Sequence, residues 1–101
     1  MAVPEFVDID PGTLRLPPTR SAGADPAKLA RQFSRFGLSV NGMPSPWVSR
    51  DGGGLLAILD GVTRATRVAK YLPGRLIRVE VTEEHLATSY ANYPMLRDRL
   101  P

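Results

Sequence analysis

The residues best placed for chemistry lie between Leu55 and Lys70. An apolar run, Leu55-Leu56-Ala57-Ile58-Leu59, stops at Asp60-Gly61, and helical spacing then carries Thr63, Arg64 and Arg67. A strand that ends on glycine and opens a helix points unpaired backbone N–H groups at whatever lies above the turn. Those groups and the helix dipole favour an anion. Arg64, one turn in, can reach back and grip the same anion with its planar fork. The Thr63 hydroxyl can touch a phosphate or cap the helix. Asp60 reads first as an N-cap and second as a catalytic acid. For Gly61 a plain strand-to-helix turn and a phosphate contact weigh equally. Arg67 and Lys70 read as a solvated helix face. With Arg64 and Arg78 they would allow weak, salt-sensitive contact with nucleic acid of any sequence.

Elsewhere the chemistry is sparse. The chain has no cysteine, which excludes disulfides, thiolate catalysis and cysteine metal sites. His85 is the only histidine and follows Glu83 and Glu84; with no second imidazole it makes a poor metal ligand, so no metal site is assigned. Asp8 and Asp10 flank a turn, which accounts for them. Gly52-Gly53-Gly54 lacks a following Lys-Ser/Thr and opens a strand, so it is not a P-loop.

These residues need elements to hold them. Phe6–Ile9 alternates as a short strand, and Leu14-Arg15-Leu16 is a brief extended piece. Asp25-Pro26 starts a helix, with Asp as cap and Pro in the first position. Leu29, Ala30, Phe33 and Phe36 give that helix a core stripe ending at Gly37. Trp47–Arg50 and Leu55–Leu59 read as a hairpin around Asp51-Gly52-Gly53-Gly54. The second of these, apolar throughout, is expected to be central and covered on both faces. Trp47, Phe33 and Phe36 are expected in the core. A helix over 62–72 closes at Pro73-Gly74, and Leu76–Val81 alternates as a strand. Thr82-Glu83-Glu84 is expected to open a further helix through Tyr90, making 82–101 a helical tail. The fold class expected is α/β (α+β), one domain over 1–101 with its core at 6–81, a small mixed twisted sheet and packed helices.

The ordered series of motifs resembles the ParB N-terminal and sulfiredoxin-like (ParB-like nuclease) superfamily. The matching residues are Ile9 with Pro11, Pro18-Thr19-Arg20, Leu29 and Ala30, Phe36-Gly37, Pro46-x-Val48, Asp51-Gly52, Leu59-Asp60-Gly61-x-x-Arg64 and Ile77-x-Val79. The resemblance covers about Phe6 to Val81, and its strength is the order rather than any one motif. It implies a nucleotide or other phosphate over the Gly-x-x-Arg turn, touched by Gly61 and Arg64, with Arg20 approaching from the opposite loop. It also implies that Asp60 corresponds to the acid near the transferred phosphate in the Asp-Gly-His-x-Arg kinases of the group. Any cofactor implied is a nucleotide with Mg²⁺.

Departures limit the resemblance. Val62 stands where sulfiredoxins carry cysteine, so sulfinic acid reduction is excluded. Val62-Thr63 replaces both the Glu-Arg of ParB and the histidine of the kinases. A ParB helix-turn-helix is not expected within this length either.

Composition agrees with a folded protein: 43% apolar, 23% charged and a net charge of +3. The excess of positive charge favours anionic partners without specifying nucleic acid. No span suits a membrane, and Met1–Phe6 lacks the marks of a signal peptide, so a cytoplasmic location is expected. Three functions fit. The first is a nucleotide- or phosphate-binding domain with a possible regulatory role. The second is a nucleotide-dependent nuclease, phosphotransferase or NTP hydrolase. The third is a protein-interaction domain with a vestigial pocket. Phosphoryl chemistry wants a positioned base and several cations or a metal, and the turn offers only Asp60, Thr63 and Arg64, so binding ranks above catalysis.

Overall fold

A computed structural model describes residues 3–101. Four strands form one mixed sheet: β1 (Glu5–Ile9), β2 (Trp47–Asp51), β3 (Leu56–Asp60) and β4 (Ile77–His85), in the order β1-β4-β2-β3. β1 runs antiparallel to β4, β4 parallel to β2, and β2 antiparallel to β3. Two helices, α1 (Pro26–Phe36) and α2 (Val62–Tyr71), complete an α+β fold, and three short 3-10 turns connect the rest.

The core joins α2 to the sheet. Val62, Ala65 and Val68 from α2 meet Val48, Ile58, Ile77 and Val79 from three strands. Leu14, Leu16 and Leu96 fill the remaining space, and each is 0% exposed. Burying a side chain of this size contributes about 1.5–3 kcal/mol, so the tail residue Leu96 is as much a part of the core as the strands.

β3, expected to be central, is instead the last regular strand, but its outer edge is not bare. The backbone of Arg15 bridges to it, with Arg15 N–H to Leu56 C=O at 2.8 Å and Ile58 N–H to Arg15 C=O at 3.0 Å. The tail then pairs with the same segment, Leu96 N–H to Leu14 C=O at 2.8 Å. The expected extended piece at Leu14–Leu16 thus closes the sheet edge, which would otherwise invite pairing with another chain. Coverage of β3 is nevertheless incomplete: Leu56, Ala57 and Ile58 are buried, while Leu59 is 45% exposed.

Three further expectations are corrected. The helix expected from Thr82 is absent, because β4 continues to His85. Parallel register with β2 extends it, Ser49 opposite Glu83 and Arg50 opposite Glu84. Arg50 also pairs with Glu5 and Glu84, and the Glu5 carboxyl is held below its usual pKa by that hydrogen bond. Tertiary pairing here outweighs the helical preference of two glutamates. The tail after it is turn and a 3-10 segment at Leu96–Arg99. Phe33, Phe36 and Trp47 are exposed rather than core, at 37%, 46% and 51%. In α1 only Leu29 is buried, so the helix lies lightly on α2 instead of entering the core.

Asp51 ties the hairpin to the tail. It is 2% exposed. Its Oδ1 accepts from Gly53 N–H at 2.9 Å and Leu55 N–H at 2.8 Å, and its Oδ2 accepts from Tyr90 N–H at 2.7 Å. The Tyr90 amide, then the hairpin amides, hold its carboxyl below the ordinary aspartate pKa against the opposing effect of burial. Tyr90 is anchored a second time, its hydroxyl 2.8 Å from Ser49 Oγ.

Candidate anion-binding site

β3 hands directly to α2 through one residue. Gly61 is the N-cap of α2, at φ 102° and ψ 24°, in the left-handed region that glycine alone tolerates well. A side chain there has no room: a Cβ would lie 2.8 Å from Arg64 Nη2 and 2.9 Å from Pro46 Cβ. Asp60, expected to cap, does not; no side chain caps this helix. The first helical bond is Ala65 N–H to Gly61 C=O at 3.0 Å, so the amides of Val62, Thr63 and Arg64 precede the ladder.

Asp60 instead turns to Arg64, with Nη2 2.9 Å from Oδ2. The Arg64 side chain is 19% exposed and the Asp60 side chain 65% exposed. The acid therefore steers a guanidinium lying against the glycine, and it leaves a second nitrogen of the fork unpaired among the described residues.

These residues open into a solvent-facing cleft of about 420 Å³. Its walls include Arg20 from the 3-10 turn Pro18–Arg20, Lys28 and Gln32 from α1, and Asp60, Thr63 and Arg64 from the turn. All five residues singled out at this turn and in its facing loop, Arg20, Asp60, Gly61, Thr63 and Arg64, border one space. Lys28 and Gln32 were missed in the sequence. The signal for them was their i, i+4 spacing in α1, hidden because that helix was read through its apolar stripe.

Three other predicted residues are not brought here. Arg67 is 2% exposed and is not part of a solvated face. Its Nη1 donates to Gly37 C=O at 2.9 Å and Ser39 C=O at 2.7 Å, tying α2 to the loop that follows α1. Burial lowers its pKa from the usual arginine value, but a guanidinium stays charged at neutral pH. Lys70 lies 5.3 Å from the Tyr71 ring centroid, and Arg78 pairs with Asp8 across β4 and β1. The expected electrostatic set Arg67, Lys70 and Arg78 is therefore dispersed over three surroundings. His85 is exposed, as expected, with Nε2 2.9 Å from Glu83 Oε2.

Among the described residues no group of three or more His, Cys, Asp or Glu could hold a metal. Magnesium carried by phosphates needs as few as one protein carboxylate, and Asp60 is the one carboxylate in the cleft walls. Among the described residues no helix is long and apolar enough to cross a membrane. No protein-family model matches the chain, and comparison with curated proteins and with solved structures gives no match.

Proposed function

We propose that the cleft at the β3–α2 turn binds the phosphate of a nucleotide or similar small molecule, as a binding domain. The single observation that carries this is the uncapped start of α2 opening into a cleft walled by Arg20, Lys28 and Arg64. Three free amides and three cations from three elements supply what a phosphate needs. The resemblance to the ParB and sulfiredoxin-like group supports the same reading through Gly61, Arg64 and Arg20. A nucleotide ligand also suits the cytoplasmic location expected from the sequence.

Chemistry on the phosphate is the weaker reading. Asp60 is the only acid in the walls, and it is engaged by Arg64. When a nucleotide brings Mg²⁺, Asp60 can supply a carboxylate oxygen to it; the chain's own contribution is otherwise to hold and orient the phosphate. A protein-interaction role is favoured by one observation. Phe6 and Trp47 both stand in register with Glu80 and are about half exposed on that sheet face.

Isothermal titration with ATP, CTP and GTP, with and without magnesium, tests the proposal. Losing one charge-assisted hydrogen bond costs about 1.5–3 kcal/mol, so Arg64→Ala should weaken binding roughly ten- to a hundredfold. No affinity for any nucleotide, or unchanged affinity in the variant, refutes it. Release of inorganic phosphate by the wild-type protein alone would move the function to the enzyme class.

A further inference from the structure

The cations of this chain are sorted by element. α1 and α2 contain Lys28, Arg31, Arg35, Arg64, Arg67 and Lys70 and no acid at all. β1 and β4 contain Glu5, Asp8, Glu80, Glu83 and Glu84 against a single Arg78. Within α1, Lys28, Arg31 and Arg35 recur at i, i+3 and i+7, which places them in an arc of roughly 60° on one face. All three are exposed, and none is ion-paired with a described residue. Such a face repels itself unless an anion lies along it.

An aromatic ring borders that face. Phe36 is 46% exposed, its ring 5.5 Å from the buried Arg67 guanidinium and 5.3 Å from that of Arg35. Beside it runs an open groove of about 610 Å³ walled by Lys28, Arg31, Arg35, Phe36 and Thr63. Three cations in line with an accessible ring at the groove wall suit a sugar-phosphate backbone whose bases are unstacked. A duplex hides its bases from such a ring, whereas a single strand offers them for stacking.

We infer that the exposed face of α1 is a docking surface for single-stranded nucleic acid, with Lys28, Arg31 and Arg35 on the backbone and Phe36 stacking a base. From Lys28 to Arg35 is about 10 Å along the helix, long enough to follow successive phosphates of an extended strand. Recognition is independent of sequence, because cations on phosphate and a ring under a base read no base edges. The surface does not depend on a mononucleotide occupying the turn at Gly61.

Fluorescence anisotropy with a labelled single strand of about twelve nucleotides tests this. The slope of log K against log salt should fall by about 1.4 in the Arg31→Gln/Arg35→Gln double variant, two phosphate contacts at about 0.7 each. If the two proteins converge near molar salt, that slope corresponds to roughly 20-fold weaker binding near 0.1 M. Both side chains are exposed and neither is in an ion pair, so the melting temperature should move by no more than a few degrees, through loss of the Arg35–Phe36 contact. Phe36→Leu should weaken binding roughly five- to a hundredfold on the normal strand and little on an abasic one. Arg64→Ala, which removes the mononucleotide contact, should leave most of the strand affinity intact. Unchanged affinity in the double variant overturns the inference. So does equal binding of duplex or polyphosphate with no effect of Phe36→Leu, which would mark a general polyanion face. Binding of anionic lipid vesicles through Arg31 and Arg35, without binding of the strand, would assign the surface to a membrane instead.

Discussion

Replacing Gly61 with alanine should damage the turn in two separable ways. The first is conformational: φ is 102°, and an L-residue held in the left-handed region costs about 1–2 kcal/mol. The second is crowding. The new methyl would sit 2.8 Å from Arg64 Nη2 and 2.9 Å from Pro46 Cβ. The guanidinium is the end of a flexible chain and can swing away, at the expense of its contact with Asp60. Pro46 is a buried ring and cannot. Overpacking of this kind costs about 1–3 kcal/mol, giving roughly 2–5 kcal/mol in all. Gly74 is the control: φ is 85° there, but a Cβ would meet nothing within 4 Å. Gly74→Ala should show the conformational cost alone. Thermal melts should therefore place Gly61→Ala roughly 5–20 °C below Gly74→Ala, at about 4–8 °C per kcal/mol for a domain of this size. Equal melting temperatures would refute the claim that this turn is packed against Pro46 and Arg64. It would also remove the reason for Arg64 to lie where a phosphate could meet it.

Asp51 keeps a lowered pKa in the fold against 3.8 unperturbed, so its stabilisation is complete above 3.8 and is lost as pH falls through the lower folded value. Acid titration should show Asp51→Asn less sensitive than wild type over that window, and amide exchange at Tyr90 and Leu55 should quicken in Asp51→Ala; a parallel acid transition would sink the assignment. Leu96→Ala should cost about 2–5 kcal/mol in urea unfolding because its side chain is fully enclosed, whereas a dispensable tail predicts almost nothing. Asp60→Asn, which removes the one negative charge from the cleft, should tighten metal-free phosphate binding roughly fivefold, one unit charge at about 4 Å in water. Weaker binding without magnesium would mean that Asp60 positions Arg64 more than it repels the ligand.

The elements with local punctuation were legible in the sequence. Asp25 caps α1 by accepting Ala27 N–H at 2.8 Å, Pro26 follows it, and Gly37 ends it at φ 57°. The glycine turn before α2 and the hairpin after Asp51 were visible for the same reason. What failed depended on partners distant in the chain. Glu83 and Glu84 joined a strand because Ser49 and Arg50 face them, a pairing no local pattern encodes. Phe33 imitates a core residue by spacing, yet it packs on one ring of α2, that of Tyr71, at 4.3 Å between centroids. Arg67 had the spacing of a surface residue but donates to carbonyls about 30 positions earlier. Among the candidate site residues, those within one turn of Gly61 were legible because strand end, glycine and helix start are consecutive. Lys28 and Gln32 were not, since only the docking of α1 on α2 brings them to the cleft.

That docking has a consequence for any ligand. α1 is held by buried Leu29, by the Phe33–Tyr71 contact and by the two bonds from Arg67 to the carbonyls that follow it. It carries no strand contact of comparable extent, since its packing is against α2. A lightly anchored helix bearing only positive charge should be the first part of the molecule to respond to an anion in the cleft or groove. Local opening energies follow the number of buried contacts, and α1 has few. An anion bound between Lys28 of α1 and the amides of α2 would bridge the two helices and raise the opening energy of α1 by RT ln(1 + [L]/Kd). Amide exchange in α1 should therefore slow by a factor of 1 + [L]/Kd, while β4 amides that exchange through fluctuations leaving the cleft intact stay unchanged. Protection spread evenly over both would show that the ligand stabilises the whole fold and has no particular hold on α1.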